Sequence, residues 1–313
     1  MKRTLKSVLI IALAVSCIIF IGSAIPAHAG TASFKMLFRN SDFEDGEAEE
    51  YIDGKTFAIF DNSYYEEDSD YEDDSDDMQT YELDWYDDNN VDGTVISEDC
   101  TSSCIATDGD TVFYTELKNK RDCLIKYTCS TDKKEVIKTT NKDDYLNLDT
   151  IRGNLLFIDS SSKPMSIYGL DLQSDEFFKI TGGFIQGFSG PYFLCGKCSV
   201  PCDDFVGAWY IYKMDGHKCV PVKKLTSFSN MAKIQSGHVY YVKYNFSGKK
   251  QAMSIYSINA DGTGNKKIKT LKAKSIYAVD INKNHCWYVA NNKTWKVDFS
   301  NGKIHKVSNT VLP

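Results

Sequence analysis

The 313 residues carry 43 acidic and 36 basic side chains, a formal charge of −7, with 42% hydrophobic and 25% charged residues. Only two arginines, Arg121 and Arg152, follow residue 99, which argues against a nucleic-acid groove, where planar guanidinium donors are preferred.

Lys2, Arg3 and Lys6 precede an apolar stretch from Val8 to Ile25, and Ala27 and Ala29 supply the small residues a signal peptidase reads. Residues 1–29 are therefore expected to be a secretory signal, cleaved between Ala29 and Gly30, and the chain to be secreted or held at the cell surface or envelope. An uncleaved membrane anchor is the alternative, and lipid attachment at Cys17 a third reading. Contact with a membrane is expected only through this segment, if it stays uncleaved. Without it the chain holds 33 bases and 43 acids, a formal charge of −10.

A short strand from Phe34 to Phe38 comes next and is a candidate to pair with the last sheet. The first repeat follows, with strands at Gly54 to Phe60, Thr80 to Asp84 and Thr94 to Ile96. An acidic insertion, Glu66 to Asp77, interrupts it. Residues 42–99 contain 24 acids and one base, Lys55, whereas residues 100–313 contain 30 bases and 19 acids. Such a split gives the molecule a large dipole, and the insertion itself is expected to stay extended by self-repulsion. Asp68, Asp70 and Glu72 begin like a calcium loop, so Ca2+ is a possible ligand there. No glycine follows at the sixth position, however, and the solvated insertion is the favoured reading.

The second repeat runs through Gly109 to Tyr114, Leu124 to Thr128 and Val136 to Thr139, with Cys100 and Cys104 in the link before it. In the third, an inner strand from Tyr145 to Ile151 leads into Gly153 to Ile158, Ser166 to Asp171 and Phe177 to Thr181. The fourth has Gly190 to Leu194, Trp209 to Asp215 and Val222 to Thr226. Its middle turn is expected to hold Cys195, Cys198 and Cys202. The fifth has Met231 to Gln235, Gly237 to Val242, Ser254 to Asn259 and Lys267 to Leu271. The sixth has Ile276 to Ile281, Asn284 to Val289, Thr294 to Asp298 and Lys303 to Val307, with Asn284 in the glycine position.

The successive starts lie 55, 44, 37, 47 and 47 residues apart, a period typical of stacked supersecondary units. The runs are short, alternating and rich in β-branched and aromatic residues, as strands are. Asp-Gly and Asn-Gly pairs at 53–54, 92–93, 108–109, 215–216, 261–262 and 301–302 supply the positive φ that tight turns need. Four antiparallel strands per repeat and about six repeats predict an all-β β-propeller, a single domain over residues 30–313. A sandwich or open meander is the competing architecture.

Nine cysteines follow the signal, an odd number, and an exported chain with so many is expected to hold disulfides. The cluster Cys195, Cys198 and Cys202 is read first as a structural disulfide site. Metal binding by three thiolates is the second reading. Propeller geometry puts this turn on the same face as the acidic insertion, so these three, with Asp68, Asp70 and Glu72, are the candidate ligand-face residues.

No zinc-protease, nucleophile-elbow, phosphate-loop or dinucleotide motif occurs, and no catalytic residue is assigned. Histidines His217 and His305 lie in or beside outer turns, and His238 and His285 begin equivalent strands. The Gly-x-x-Tyr-Tyr, Ile-Tyr-x-x-Asp and Lys-Lys-Leu-Thr elements of repeats three to five resemble exported bacterial six-bladed propellers. The likeness is to the TolB-like type and the related domain-of-unknown-function 5050 group, over roughly residues 100–313. What that resemblance implies is a binding scaffold with no settled catalytic residues. The expected function is thus non-catalytic binding of an extracellular protein, peptide or glycan. A propeller hydrolase or lyase with a metal-dependent site in the central channel is the alternative.

Overall fold

The computed structural model describes residues 33–39, 47–62, 80–142, 144–162, 164–198, 206–227, 231–245, 251–282 and 284–307. The expected signal segment, the acidic insertion with Asp68, Asp70 and Glu72, and Cys202 lie outside them.

Among the described residues every regular element of more than one turn is a strand. β1 is Lys35–Leu37. The first sheet is β2 (Glu47–Ile52), β3 (Lys55–Asp61), β4 (Tyr81–Asp87) and β5 (Asn90–Cys100). The second is β6 (Ile105–Thr107), β7 (Thr111–Lys118), β8 (Arg121–Thr128) and β9 (Lys133–Thr139). The third is β10 (Leu146–Arg152), β11 (Leu155–Ser160), β12 (Ser166–Asp171) and β13 (Phe177–Gly182). The fourth is β14 (Phe184–Ser189), β15 (Tyr192–Cys198), β16 (Val206–Asp215) and β17 (Lys218–Ser227). The fifth is β18 (Ala232–Gln235), β19 (His238–Asn245), β20 (Gln251–Asn259) and β21 (Lys266–Ala273). The sixth is β22 (Ile276–Ile281), β23 (His285–Ala290), β24 (Lys293–Asp298) and β25 (Ile304–Lys306).

Within each group of four, consecutive strands pair antiparallel in chain order, the meander that short turns between alternating strands favour; the first two groups are also joined, Cys100 of β5 opposite Glu116 of β7, into one nine-stranded sheet that includes β1. The repeated glycine is the reason the turns close. Gly54, Gly109, Gly153, Gly190 and Gly237 all have positive φ, where other residues are strained. Asn284 in the sixth repeat is not among the residues with positive φ. The first sheet departs from its expected turn. The chain reverses before Asn90, with Asp87 Oδ1 accepting the N–H groups of Asn89 and Asn90 at 2.8 and 3.0 Å. Gly93 then lies inside β5 with φ of 76°, because the side chain of Asp87 already supplies a turn.

The sheets pack face to face, and five apolar clusters fill five successive seams. Phe57, Leu83, Val112 and Ile125 join sheets one and two. Phe113, Leu124, Leu148 and Leu156 join two and three. Phe157, Ile167, Phe193 and Tyr212 join three and four. Trp209, Ile211, Val239 and Ile258 join four and five. Met253, Ile255, Cys286 and Val297 join five and six. The two-residue period of a strand sends alternate side chains to opposite seams, so each sheet serves two neighbours.

None of the five clusters spans sheets six and one. Instead the outer face of sheet one leaves Tyr51 73% and Val95 50% exposed, and that of sheet six leaves Tyr277 55% exposed. The strand expected as a closing element does something else. β1 pairs with β6, Lys35 opposite Thr107 and Leu37 opposite Ile105. Its side chains explain the choice: Leu37 and Phe38 enter the first seam, while Phe34 and Met36 enter the second. The last strand, β25, pairs within its own sheet. The fold is all-β and of the propeller type: two four-stranded meanders joined with β1 into one nine-stranded sheet, followed by four four-stranded sheets.

Candidate functional site

The expected cysteine turn begins later than the sequence suggests. Cys195 lies inside β15, is 0% exposed and packs in the seam between sheets three and four. Its Sγ is 3.5 Å from the carbonyl oxygen of Gly182, and burial pushes its thiol up to about 12. Cys198 ends the strand. Among the described residues all seven characterised cysteines are free thiols, and no group of three or more His, Cys, Asp or Glu is arranged to hold a metal ion.

The same seam carries a cavity at its other end. It has a volume of about 330 Å3 and is bounded by the turns that join β10 to β11, β12 to β13, β14 to β15 and β16 to β17. Leu155, Phe157, Phe188 and Met214 form an apolar floor. The floor is the rim of the interblade core, since Phe157 stands 4.8 Å from Phe188, edge to face. Asn154 and the exposed turn at Gly190 and Pro191 border the opening.

One wall is a polar relay. His217 Nε2 lies 2.7 Å from Asp171 Oδ2 and its Nδ1 lies 3.3 Å from Glu176 Oε2. The hydrogen bond to Asp171 raises the His217 pKa above its ordinary 6.5. Burial alone would raise Asp171. The hydrogen bond from His217 and those from the N–H groups of Ser174 and Gln173 outweigh it and hold the carboxyl below 3.8. The imidazole also stacks on Phe178 at 4.7 Å. Phe178 can lie there because Gly169 has no side chain; a Cβ at that position would come within 2.8 Å of its ring.

Arg152 stands at the mouth. Its guanidinium lies over the Phe188 ring at 4.9 Å, and β10 sends it toward sheet four because it pairs opposite Leu155, a member of that seam's core. No carboxylate is within ion-pair distance of it among the described residues. Asp149, whose carboxyl feels the charge of Arg152, pairs instead with Arg39 at 3.5 Å. Arg152 therefore offers planar donors that no side-chain acceptor among the described residues meets.

A second cavity, about 290 Å3, opens at the opposite strand ends of sheets two and three, lined by hydroxyls of Thr139, Thr140, Ser160 and Ser162 with Tyr168 and Phe177. Deeper in the third seam lies Asp159. Burial first and Asp149 second push its carboxyl up to about 7, and its Oδ1 is buried without a hydrogen-bond partner. The sequence did not mark either cavity. Each is assembled from turns of two neighbouring repeats, and the repeat pattern does not say which turn side chains converge.

No protein-family model matches this chain, and no curated protein does. It is similar in structure to an uncharacterized protein, lmo1340, from Listeria monocytogenes, at 11% identity over 88% of this chain and 83% of that one, TM-score 0.39. It is similar to TolB from Acinetobacter baumannii at 14% identity over 72% of this chain and 61% of that one, TM-score 0.30. It is also similar to the β-propeller domain of the Trilobed protease from Pyrococcus furiosus, which has an open velcro topology. There the identity is 12% over 85% of this chain and 98% of that one, TM-score 0.34.

Proposed function

We propose that the six sheets close into a ring of the TolB-like or domain-of-unknown-function 5050 type, and that the exported chain uses it as a non-catalytic scaffold to bind a peptide or protein segment outside the cell. The cavity between sheets three and four carries this reading. Its volume, about 330 Å3, falls in the range of roughly 300–1,000 Å3 that suits a compact ligand. An apolar floor beside a few convergent polar groups is what peptide side chains require. The same floor disfavours a glycan, whose hydroxyls would lose water there without gaining partners.

The test uses residues 30–313 and a pool of random tetrapeptides, with retention followed by mass spectrometry. Asn154→Trp, at an exposed position on the opening, should block retention and leave the melting temperature unchanged. A wild-type chain that retains no peptide, or retention indifferent to this variant, would reject the cavity as the binding site. Turnover of retained peptides that stops on chelation would replace the scaffold with the metal-dependent hydrolase.

A further inference from the structure

We infer that the cavity between the third and fourth sheets recognises a free carboxylate carried on an apolar body, with Arg152 as the anchor for the carboxylate and the Leu155, Phe157, Phe188 and Met214 floor as the receptor for the body. This deepens the peptide-binding reading and rests on it.

The charges around the cavity lead there. The relay of His217, Asp171 and Glu176 is internally matched: one imidazole lies between two carboxylates, at 2.7 and 3.3 Å. Asp171 is further occupied by two turn N–H groups. That wall has little left to offer an anion and would repel one approaching Glu176. Arg152 is different. It is held in place by the Phe188 face at 4.9 Å, and no side-chain acceptor meets it among the described residues. A guanidinium stacked on a ring keeps its edge free, and that edge matches a carboxylate bidentately. The stack also fixes the side chain beforehand, which lowers the ordering cost of binding.

Geometry sets the rest of the ligand. Arg152 and Phe188 border the same opening, and Phe188 continues into Phe157 and Leu155 below. A carboxylate on Arg152 thus leaves its own substituent over the floor. An aryl or branched aliphatic group one or two carbons away fits. Two sources present this chemistry: the C-terminus of a peptide ending in an apolar residue, and a free arylalkanoic acid.

The experiment measures binding of three probes to the exported chain by calorimetry: Ala-Ala-Phe with a free carboxylate, the same peptide as its amide, and 3-phenylpropionate. The free acid should bind at least 10-fold tighter than the amide. In Arg152→Gln that ratio should fall to about 1, and in Arg152→Lys it should be intermediate, because an ammonium keeps charge but not the fork. Unchanged circular dichroism and melting temperature show that the variants remain folded. Phenylpropionate binding as tightly as the peptide acid assigns the site to small acids; binding at least 10-fold weaker assigns it to peptide C-termini. Both outcomes uphold the carboxylate. Equal binding of acid and amide by the wild type, blocked by Asn154→Trp, would overturn it and leave the peptide reading standing. Failure of all three probes where the tetrapeptide pool is retained would do the same.

Discussion

Replacing Asp159 by Asn should make the protein more stable at neutral pH and leave it unchanged in acid. Asp159 faces the third seam from β11, sharing that face with Leu155 and Phe157 by strand periodicity. Burial and the neighbouring Asp149 raise its carboxyl from 3.8 to about 7. A raised folded-state value means the native chain holds its proton more tightly than the unfolded one. Stability therefore falls as pH rises from about 4 to about 7 and stays low above that. At 1.36 kcal/mol per pKa unit, the loss from this one group is on the order of 4 kcal/mol. Asparagine cannot ionise, so it removes that loss. Its carbonyl oxygen still accepts the N–H of Ile185, which bonds the carboxyl in the native chain. Its amide nitrogen takes the place of an oxygen that is already unpartnered. Any cost of that exchange is the same at every pH and shifts the curve without bending it. Urea unfolding of both proteins from pH 4.5 to 8.5 gives the difference directly. It should be near its minimum at pH 4.5 and grow by a few kcal/mol by pH 8. Parallel curves would refute the assignment of a raised carboxyl at this position.

Gly183, between sheets three and four, has φ of 116°, and a Cβ there would lie 2.3 Å from the carbonyl oxygen of Gly196. Gly183→Ala should cost roughly 3 kcal/mol or more from strain and overlap, read by urea unfolding. Trp85 Nε1 donates to Tyr127 Oη at 3.2 Å across the first seam; Trp85→Phe should lose about 1–2 kcal/mol, and less if Tyr127 is also changed to Phe. Burial pushes the thiols of Cys100, Cys129, Cys195 and Cys286 up to about 12. In a chain carrying Cys198→Ser and Cys202→Ser, a disulfide reagent at pH 8 should label the partly exposed Cys219 first and these four only on unfolding.

The order of the strands was legible because the recurring glycines mark positive-φ turns, and those turns divide the chain into repeats of similar length. Gly54, Gly109, Gly153, Gly190 and Gly237 behave this way. Where side chains supply a turn themselves, as Asp87 does, the glycine signal misplaced it by a few residues. The partner of β1 was not legible. A three-residue strand has too few alternating positions to declare which two seams its faces fill. The cysteine cluster looked like a turn because thiols at close spacing suggest chemistry, yet Cys195 is a small apolar filler of the core. His217 read only as a residue in or beside an outer turn, and nothing in the repeat pattern singled out Arg152. Their meaning comes from adjacency of two hairpin ends, which depends on packing between repeats rather than on the pattern within one.

The proposed ring can close only through the two faces that no apolar cluster covers, and their charges set how firmly it does so. On sheet one, the face turned away from sheet two carries Glu47, Glu49, Glu82 and Asp84 and no base, as the register of β2, β3 and β4 dictates. On sheet six, the face turned away from sheet five carries Asp280 and Asp298 against Lys296, His285 and His305. Asp298 is already shared by the two imidazoles, at 2.8 and 3.1 Å. Bringing these faces together gathers more acid than base. This seam should therefore be the first to open, and screening should strengthen it. Burial, then Glu82, raises Asp84 to about 6, so its repulsion appears as pH rises through that value and is absent below the ordinary carboxyl range. Hydrogen exchange at matched pH should slow in β2 to β4 and β22 to β24 when salt is raised from about 0.05 to 0.5 M, a change that shortens the screening length severalfold. Strands β11, β15 and β19, which lie between apolar seams, should be indifferent to salt. Asp84→Asn should reproduce part of the salt effect at pH 8 and none at pH 4. Faster exchange at the two end sheets in high salt would mean that the seam is held by attraction between its charges, and the proposed mode of closure would have to be abandoned.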